Sequence, residues 1–258
     1  MGKIIAVFNQ KGGVGKTTTA VNLAAAVAQQ GKRCLLVDLD PQGNATSGVG
    51  LDKRQGVAST YELLIGTAEP REAVLRTAFQ NLEAIPCSTR LAGAEIELVE
   101  QPRRESRLKA ALASLRDLYD FIFIDCPPSL GLLSLNALVA ADTFLVPLQC
   151  EYYALDGMSQ LMTTVRQVKR LYNSLLDLEG VVLTMYDGRL NLTQQVVAEV
   201  KKFFPRKVFA NPIPRSVRLS EAPSYGQPIT YYDRASKGAK AYEALAKELI
   251  EKNKGGAY

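Results

Sequence analysis

Residues Lys11-Gly12-Gly13-Val14-Gly15-Lys16-Thr17-Thr18 bring three glycines, two lysines and two hydroxyls together behind a short apolar run, Ile4 to Phe8. A glycine loop between a strand and a helix turns several backbone N–H groups toward one anion. The helix that follows adds the positive end of its dipole at the same point. At this spacing Lys16 reaches the outer phosphates of a nucleotide, and the Thr17 hydroxyl ligates Mg²⁺. The usual pattern, G-x-x-x-x-G-K-[ST], has glycine where this chain has Gln10, and Lys11 is an additional lysine at the mouth of the loop. Two lysines on one phosphate loop point to a task beyond holding one nucleotide.

Two more apolar runs end in acids. Leu35-Leu36-Val37 runs into Asp38-Leu39-Asp40-Pro41-Gln42-Gly43, and Phe121-Ile122-Phe123-Ile124 into Asp125-Cys126-Pro127-Pro128. The second has the form of a Walker B strand, whose carboxylate bears on Mg²⁺ or its water shell. Asp38 and Asp40 are expected to point to opposite sides and to differ in role. Asp40, nearer the loop, is the candidate to orient an attacking water. Asp38 is the candidate to support Mg²⁺ or the phosphate loop.

The elements that must position these groups alternate along the chain. Ile4–Phe8, Cys34–Val37, Phe121–Ile124, Phe144–Pro147 and Val181–Leu183 read as buried strands, apolar without polar alternation, as in a parallel sheet covered on both faces. Between them lie helical patterns: the Ala-rich Thr17–Gln30, stopped by Gly31, then Arg104–Leu115, Ala154–Leu176, Thr193–Phe203 and Lys237–Lys252. This order predicts an α/β fold of the P-loop NTPase type, a doubly wound, mostly parallel sheet flanked by helices. In such sheets ligands bind at the carboxyl ends of the strands, where the glycine loop and the three aspartates fall. Residues 1–253 are expected to form one P-loop nucleotide-binding domain, with 254–258 a frayed tail.

Composition narrows the class. The chain has 258 residues, 47% of them hydrophobic, enough for a sizeable core. No apolar stretch of about 18 residues offers a membrane span. Met1-Gly2-Lys3 runs straight into the first strand and leaves no room for a signal peptide, so a cytoplasmic location is expected. The four cysteines are widely spaced, follow no metal-ligand pattern and read as reduced thiols. The absence of histidine removes His-based acid–base chemistry and most zinc sites. The net charge is +5, yet residues 186–258 hold 13 Lys and Arg against 7 Asp and Glu. All excess positive charge therefore lies in the C-terminal part, the placement of a polyanion-binding face.

Taken together, the loop at 11–18, Asp38-Leu39-Asp40-Pro41-Gln42-Gly43-Asn44 and Asp125-Cys126-Pro127-Pro128 resemble the deviant-Walker ATPases of the ParA/MinD family. Gln149-Cys150-Glu151-Tyr152-Tyr153-Ala154-Leu155, Thr184-Met185-Tyr186-Asp187-Gly188-Arg189 and Ile213-Pro214-Arg215-Ser216-Val217-Arg218-Leu219-Ser220-Glu221-Ala222-Pro223 extend the likeness over nearly the whole chain and point to its chromosomal, Soj-like ParA branch. The resemblance implies an Mg²⁺-dependent ATPase that pairs as a nucleotide-sandwich homodimer. Lys11 would then reach across to the ATP of the other subunit, with Gly12 letting the two loops approach. It also implies slow hydrolysis stimulated by a ParB-type DNA-binding partner, and adenine packed near Met185 and the loop Asn211-Pro212. Arg189 and Arg218, with Arg215 a weaker candidate, would bind double-stranded DNA through phosphates and without sequence preference, which makes the protein nucleoid-associated.

Two readings compete with this one. A MinD-like membrane-cycling ATPase needs a C-terminal amphipathic helix with bulky apolar residues on one face and lysines on the other. The chain instead ends in Glu248-Leu249-Ile250-Glu251-Lys252-Asn253-Lys254-Gly255-Gly256-Ala257-Tyr258, with two glutamates and neither Phe nor Trp. A metabolic relative, such as the nitrogenase iron protein or an amide ligase, is the other. The contexts of Cys87 and Cys126 do not match the paired cluster cysteines that the iron protein requires.

Overall fold

The computed structural model describes residues 1–53, 57–151 and 154–254. The chain runs β1 (Lys3–Val7), α1 (Lys16–Gln29), β2 (Cys34–Asp38), α2 (Asn44–Gly48), α3 (Thr60–Ile65), β3 (Leu75–Arg76) and β4 (Leu82–Ile85). It continues through α4 (Leu91–Leu98), α5 (Arg107–Ala113), β5 (Phe121–Asp125), α6 (Leu132–Ala140), β6 (Thr143–Gln149) and α7 (Ala154–Leu171). β7 (Asp177–Thr184), α8 (Asn191–Phe203), α9 (Val217–Glu221), α10 (Ile229–Tyr232) and α11 (Lys237–Lys252) complete it. The seven strands form one sheet in the order β3-β4-β2-β5-β1-β6-β7, parallel except for the short β3. From β1 the chain first winds one way, to β2 and β4. It then returns through β5 and continues past β1 to β6 and β7. The reversal opens a crevice at the carboxyl ends of β1, β2 and β5, where such folds hold ligands. The Tyr152-Tyr153 part of the family-like stretch after β6 and the tail residues 255–258 lie outside the described residues.

Residue alternation explains the two layers. Ile4, Ala6 and Phe8 turn to one face of β1 and pack with Leu112, Leu133, Leu161 and Val196 from α5, α6, α7 and α8. Ile5 and Val7 turn to the other face, against Leu23 and Val27 of α1 and Tyr242, Leu245 and Leu249 of α11. The alanines of α1 are almost fully buried, which lets α1 fit closely between the sheet and α11. Each buried Leu or Val side chain contributes about 1.5–3 kcal/mol over its exposed state, so both layers are well anchored. Among the described residues no helix is long and apolar enough to cross a membrane.

Some boundaries differ from expectation. The helix predicted to run to Leu176 ends at Leu171. The Asn173 amide turns inward to donate to the carbonyls of Leu138 (2.9 Å) and Ala141 (2.8 Å), which stops the helix and closes the end of α6. The helix expected over Arg104–Leu115 narrows to Arg107–Ala113 behind a 3₁₀ turn.

Candidate nucleotide site and basic face

Between β1 and α1 the loop is bent by left-handed glycines, Gly13 at φ 73° and Gly15 at φ 87°. A side chain at either position would be strained, so the glycines decide the shape of the cradle. Asn9 fixes its entry. The Asn9 amide donates to the Pro147 carbonyl at 2.8 Å, and its Oδ1 accepts from the Lys11 N–H at 3.1 Å. Its far side is held by the Thr184 hydroxyl, which donates to the Val14 carbonyl at 2.8 Å. Lys16 is buried, with Nζ folded back onto the Lys11 carbonyl at 3.0 Å. Burial lowers its pKa, opposed by the charges of Asp125 and Asp40. Thr17 and Thr18 follow on the first turn of α1, half-buried.

Lys11 does not serve this cradle. Its Nζ pairs with Glu151 just beyond β6 at 2.5 Å, with both side chains close to half exposed. Gln10 beside it donates to Thr164 of α7 at 3.0 Å. An ion pair this exposed is worth about 0–1 kcal/mol, so Lys11 is lightly held.

The acids sit where expected but do different things. Asp38 and Asp125 are Cα partners on neighbouring strands, side by side at the sheet's carboxyl edge. Asp38 is fully engaged by the protein. Oδ2 accepts from the Thr46 N–H (2.7 Å) and hydroxyl (2.6 Å), and Oδ1 from the Asp40 N–H (3.2 Å). Burial pushes its pKa up to about 6 despite these bonds. In this structure Asp38 holds α2 and the Asp40 turn. Asp40 lies past the strand end, buried, with Oδ1 accepting from the Gln42 N–H at 3.0 Å. The expected opposition of the two carboxylates does not follow from strand alternation. Residues two apart on a strand share a face, and here β2 stops at Asp38, so Asp40 belongs to the turn beyond it.

Asp125 is fully buried, and among the described residues neither of its oxygens has a partner in hydrogen-bonding geometry. Burial and the Asp38 charge hold its pKa well above the carboxylate range, and the nearby Thr17 hydroxyl and Lys16 ammonium only partly relieve it. Such a group is costly unless a cation joins it. Among the described residues no cluster of three His, Cys, Asp or Glu side chains forms a metal cage. A hard oxygen pair, Thr17 and Asp125, beside a phosphate cradle suits Mg²⁺, which keeps waters and takes ligands from phosphates.

On the other flank, Met185 follows β7 in the left-handed region, φ 48°. The Ile213 N–H donates to the Leu183 carbonyl (2.8 Å) and the Tyr186 N–H to the Ile213 carbonyl (2.9 Å), laying the segment with Asn211 and Pro212 along the edge of β7.

A family model described as an AAA domain matches residues 2–178. The sporulation initiation inhibitor protein Soj of Bacillus subtilis is 57% identical over 96% of this chain and 98% of its own length. The chromosome partitioning protein ParA of Myxococcus xanthus is 53% identical over 98% of this chain and 89% of its own. The chain belongs to the ParA/Soj family of chromosome-partitioning ATPases. Among solved structures, a protein from Mycobacterium smegmatis described as cobyrinic acid a,c-diamide synthase with bound ADP and magnesium superposes with a TM-score of 0.87. It is 41% identical over 99% of this chain and 97% of its own.

The ParA/Soj chain carries its three candidate DNA arginines on the two segments that meet at this edge. A bridge between Tyr186 and Pro214 sets the segments bearing Arg189 and Arg215–Arg218 next to each other. Arg189 is almost fully exposed and forks onto Asp187 at 2.9 and 2.7 Å. That pairing lowers the pKa of Asp187 to about 2. Arg218 pairs with Glu221 (3.0 Å) and Asp233 (3.4 Å). Arg215 is exposed and makes no ion pair among the described residues, so its charge is the one least offset by acid.

Sequence reasoning missed Asn9, Thr46, Thr184 and Glu151 as supports of the site. Asn9 and Thr184 are polar side chains at the ends of apolar runs, a signal visible in the sequence, whereas Thr46 lies in a polar turn that gives none. Their partners, up to 170 residues away, are not visible there.

Proposed function

We propose that this chain is an ATP-dependent DNA-binding switch for chromosome or plasmid partitioning. In this reading residues 1–253 act as one ATPase domain that pairs as a homodimer around two nucleotides. The observation that carries it is the position of Lys11. One lysine of the loop, Lys16, is buried in the cradle, while the other points away to a lightly held ion pair with Glu151. Lys11 is thereby available to a nucleotide held by a second copy. Gly12 supports this, since a side chain there would meet nothing within 4 Å in its own chain, and the space it leaves serves a partner.

In this reading Lys16 and the N–H groups from Gly12 to Thr18 bind the phosphates. Thr17 and Asp125 hold Mg²⁺, which when bound neutralises charge on the outer phosphates. Asp38 keeps the Asp40 turn in place, and Asp40 orients the attacking water. Met185, Asn211 and Pro212 line the base. Arg189, Arg215 and Arg218 contact DNA phosphates, and a dimer doubles that patch, which couples ATP to DNA binding. A ParB-type DNA-binding protein is the partner that stimulates hydrolysis, and the location is cytoplasmic, on the nucleoid. The MinD-like alternative is disfavoured by α11, whose Tyr242, Leu245, Leu249 and Ile250 pack into the core and are unavailable to a bilayer. The synthase reading is disfavoured by the higher identity to the partitioning proteins.

DNA retention by gel shift tests the proposal. The ATP form is expected to bind and the ADP and nucleotide-free forms to bind weakly. Lys16→Ala is expected to lose binding throughout. If the dimer neutralises about six phosphates, log affinity falls with log salt at a slope of about −5. Arg189→Glu binding DNA like the parent, or a flat salt dependence, would refute the basic-face assignment.

A further inference from the structure

Glu248 sits on α11, far in sequence from every loop and strand end of the nucleotide site. Its carboxylate nevertheless reaches the segment along β7. Both oxygens accept from the Ala210 N–H at 3.0 Å, and one accepts from the Asn211 side-chain amide at 2.9 Å. The side chain is largely buried. Lys252 pairs with it at 3.1 Å and also lies 3.9 Å over the Phe209 ring. Burial alone would raise the Glu248 pKa, but the Ala210, Asn211 and Lys252 contacts outweigh it and leave the group below its ordinary value. The carboxylate is therefore ionised, and an ionised carboxylate only accepts hydrogen bonds.

That fixes the sense of an otherwise ambiguous side chain. An amide can present either end, but only the NH₂ end of Asn211 can face Glu248. Flipped, its Oδ1 would meet a carboxylate oxygen with no proton between them. With one N–H committed to Glu248, Asn211 is left with its carbonyl oxygen and its second N–H. Side by side, these form an acceptor–donor pair that matches adenine, whose exocyclic amine donates beside a ring nitrogen that accepts. Guanine presents an oxygen acceptor where adenine has its amine, so it needs the flipped amide.

The position of the segment fits a base. The acids Asp38, Asp40 and Asp125 occupy the β2/β5 side of the phosphate cradle. Thr184, bonded to the Val14 carbonyl, occupies the β7 side, next to the Asn211 segment.

We propose that Glu248 is a positioning residue for base selection, locking Asn211 in the orientation that accepts adenine and rejects guanine. The inference rests on the nucleotide-site reading above.

Affinities for ATP and GTP, measured by calorimetry with Mg²⁺ on the full chain, test it. Glu248→Gln keeps the shape and an oxygen for the Ala210 N–H, and its own NH₂ can now face Asn211 Oδ1, so the amide can flip. Preference for ATP over GTP should fall about tenfold, chiefly because GTP binds better. Asn211→Ala should weaken ATP and remove the same preference. If Glu248→Gln weakens both nucleotides equally and leaves the ratio unchanged, Glu248 merely props the loop and the inference fails. If Asn211→Ala changes neither affinity, the base lies elsewhere and the inference also fails. Lys16→Ala separates the two levels: should it bind nucleotide like the parent, the nucleotide-site reading itself is wrong.

Discussion

Replacing Asp40 with alanine is expected to lower ATP hydrolysis by at least about 10²-fold while the ATP-loaded protein still binds DNA. A side chain positioned for proton transfer or water orientation contributes about 10²–10⁴-fold. Asp40 is buried at the open carboxyl end of β2, and its charge is felt by both Lys16 and Asp125. It is thus close to the cradle without being part of it, and the groups proposed to grip the phosphates, Lys16 and the glycine N–H donors, remain when it is removed. The split between lost turnover and kept binding follows. Asp40 also accepts from the Gln42 N–H, so alanine loosens the turn as well as removing the charge. Asp40→Asn separates the two effects, since its amide oxygen keeps the Gln42 bond. Both variants should stall in the ATP state and persist on DNA in gel shifts, with phosphate release measured in parallel. Parent-like hydrolysis by Asp40→Ala would remove Asp40 from the reaction.

What the sequence made legible follows from how local each signal is. The loop at 11–18 and the acids at 38, 40 and 125 are set by runs of neighbours: apolar strand, turn, helix. Their meeting at one edge follows from parallel winding alone. β4 escaped notice because Leu82-Glu83-Ala84-Ile85 is short and broken by a glutamate, whose charge is met by the distant Tyr119 hydroxyl at 2.5 Å. α6 escaped because Leu132–Ala140 is almost wholly buried, so it has no polar stripe to give it a period. α7 ends short of its apolar pattern because Asn173 leaves the helix for carbonyls near residue 140. The opposite is true of Arg189. Its fork onto Asp187 lies two residues away and is local enough to be read, yet it halves the meaning of a charge count.

That last point bears on DNA affinity. Two of the three arginines already hold acids, so in the proposed reading a phosphate must displace Asp187, Glu221 or Asp233 rather than meet a bare cation. One subunit then gains little from contact, and useful affinity comes only when a second subunit adds its own set. In that reading the paired acids sharpen the contrast between monomer and dimer on which the proposed switch depends.

The second large effect concerns Asp125, where function and stability oppose each other. Asp125→Asn is expected to abolish Mg²⁺-dependent hydrolysis and, at the same time, to stabilise the nucleotide-free fold by about 1–3 kcal/mol. The parent buries a carboxylate completely, leaves it among the described residues with no well-made hydrogen bond, only the nearby Thr17 hydroxyl, and sets it beside Asp38 across the β2/β5 pair. Asparagine has nearly the same shape without the charge, so the desolvation cost and the repulsion from Asp38 fall together. The pH dependence carries a definite sign. The folded-state pKa of Asp125 lies above its unfolded value, as does that of Asp38 at about 6. The folded state then binds more protons than the unfolded one, and the parent loses stability as pH rises through this range. The advantage of Asp125→Asn should be largest at neutral pH in the presence of a chelator. It should shrink on acidification, as the coupled Asp38 and Asp125 carboxyls in the parent take up protons, Asp38 at about 6. Urea denaturation at pH 7.5 and pH 5, each with chelator, measures it. Adding Mg²⁺ and ATP should reverse the order at pH 7.5, because ligand binding stabilises only the protein that can hold the complex. A variant less stable than the parent at pH 7.5 in chelator would mean that Asp125 is satisfied within the fold, and its role as a carboxylate waiting for a cation would have to be given up.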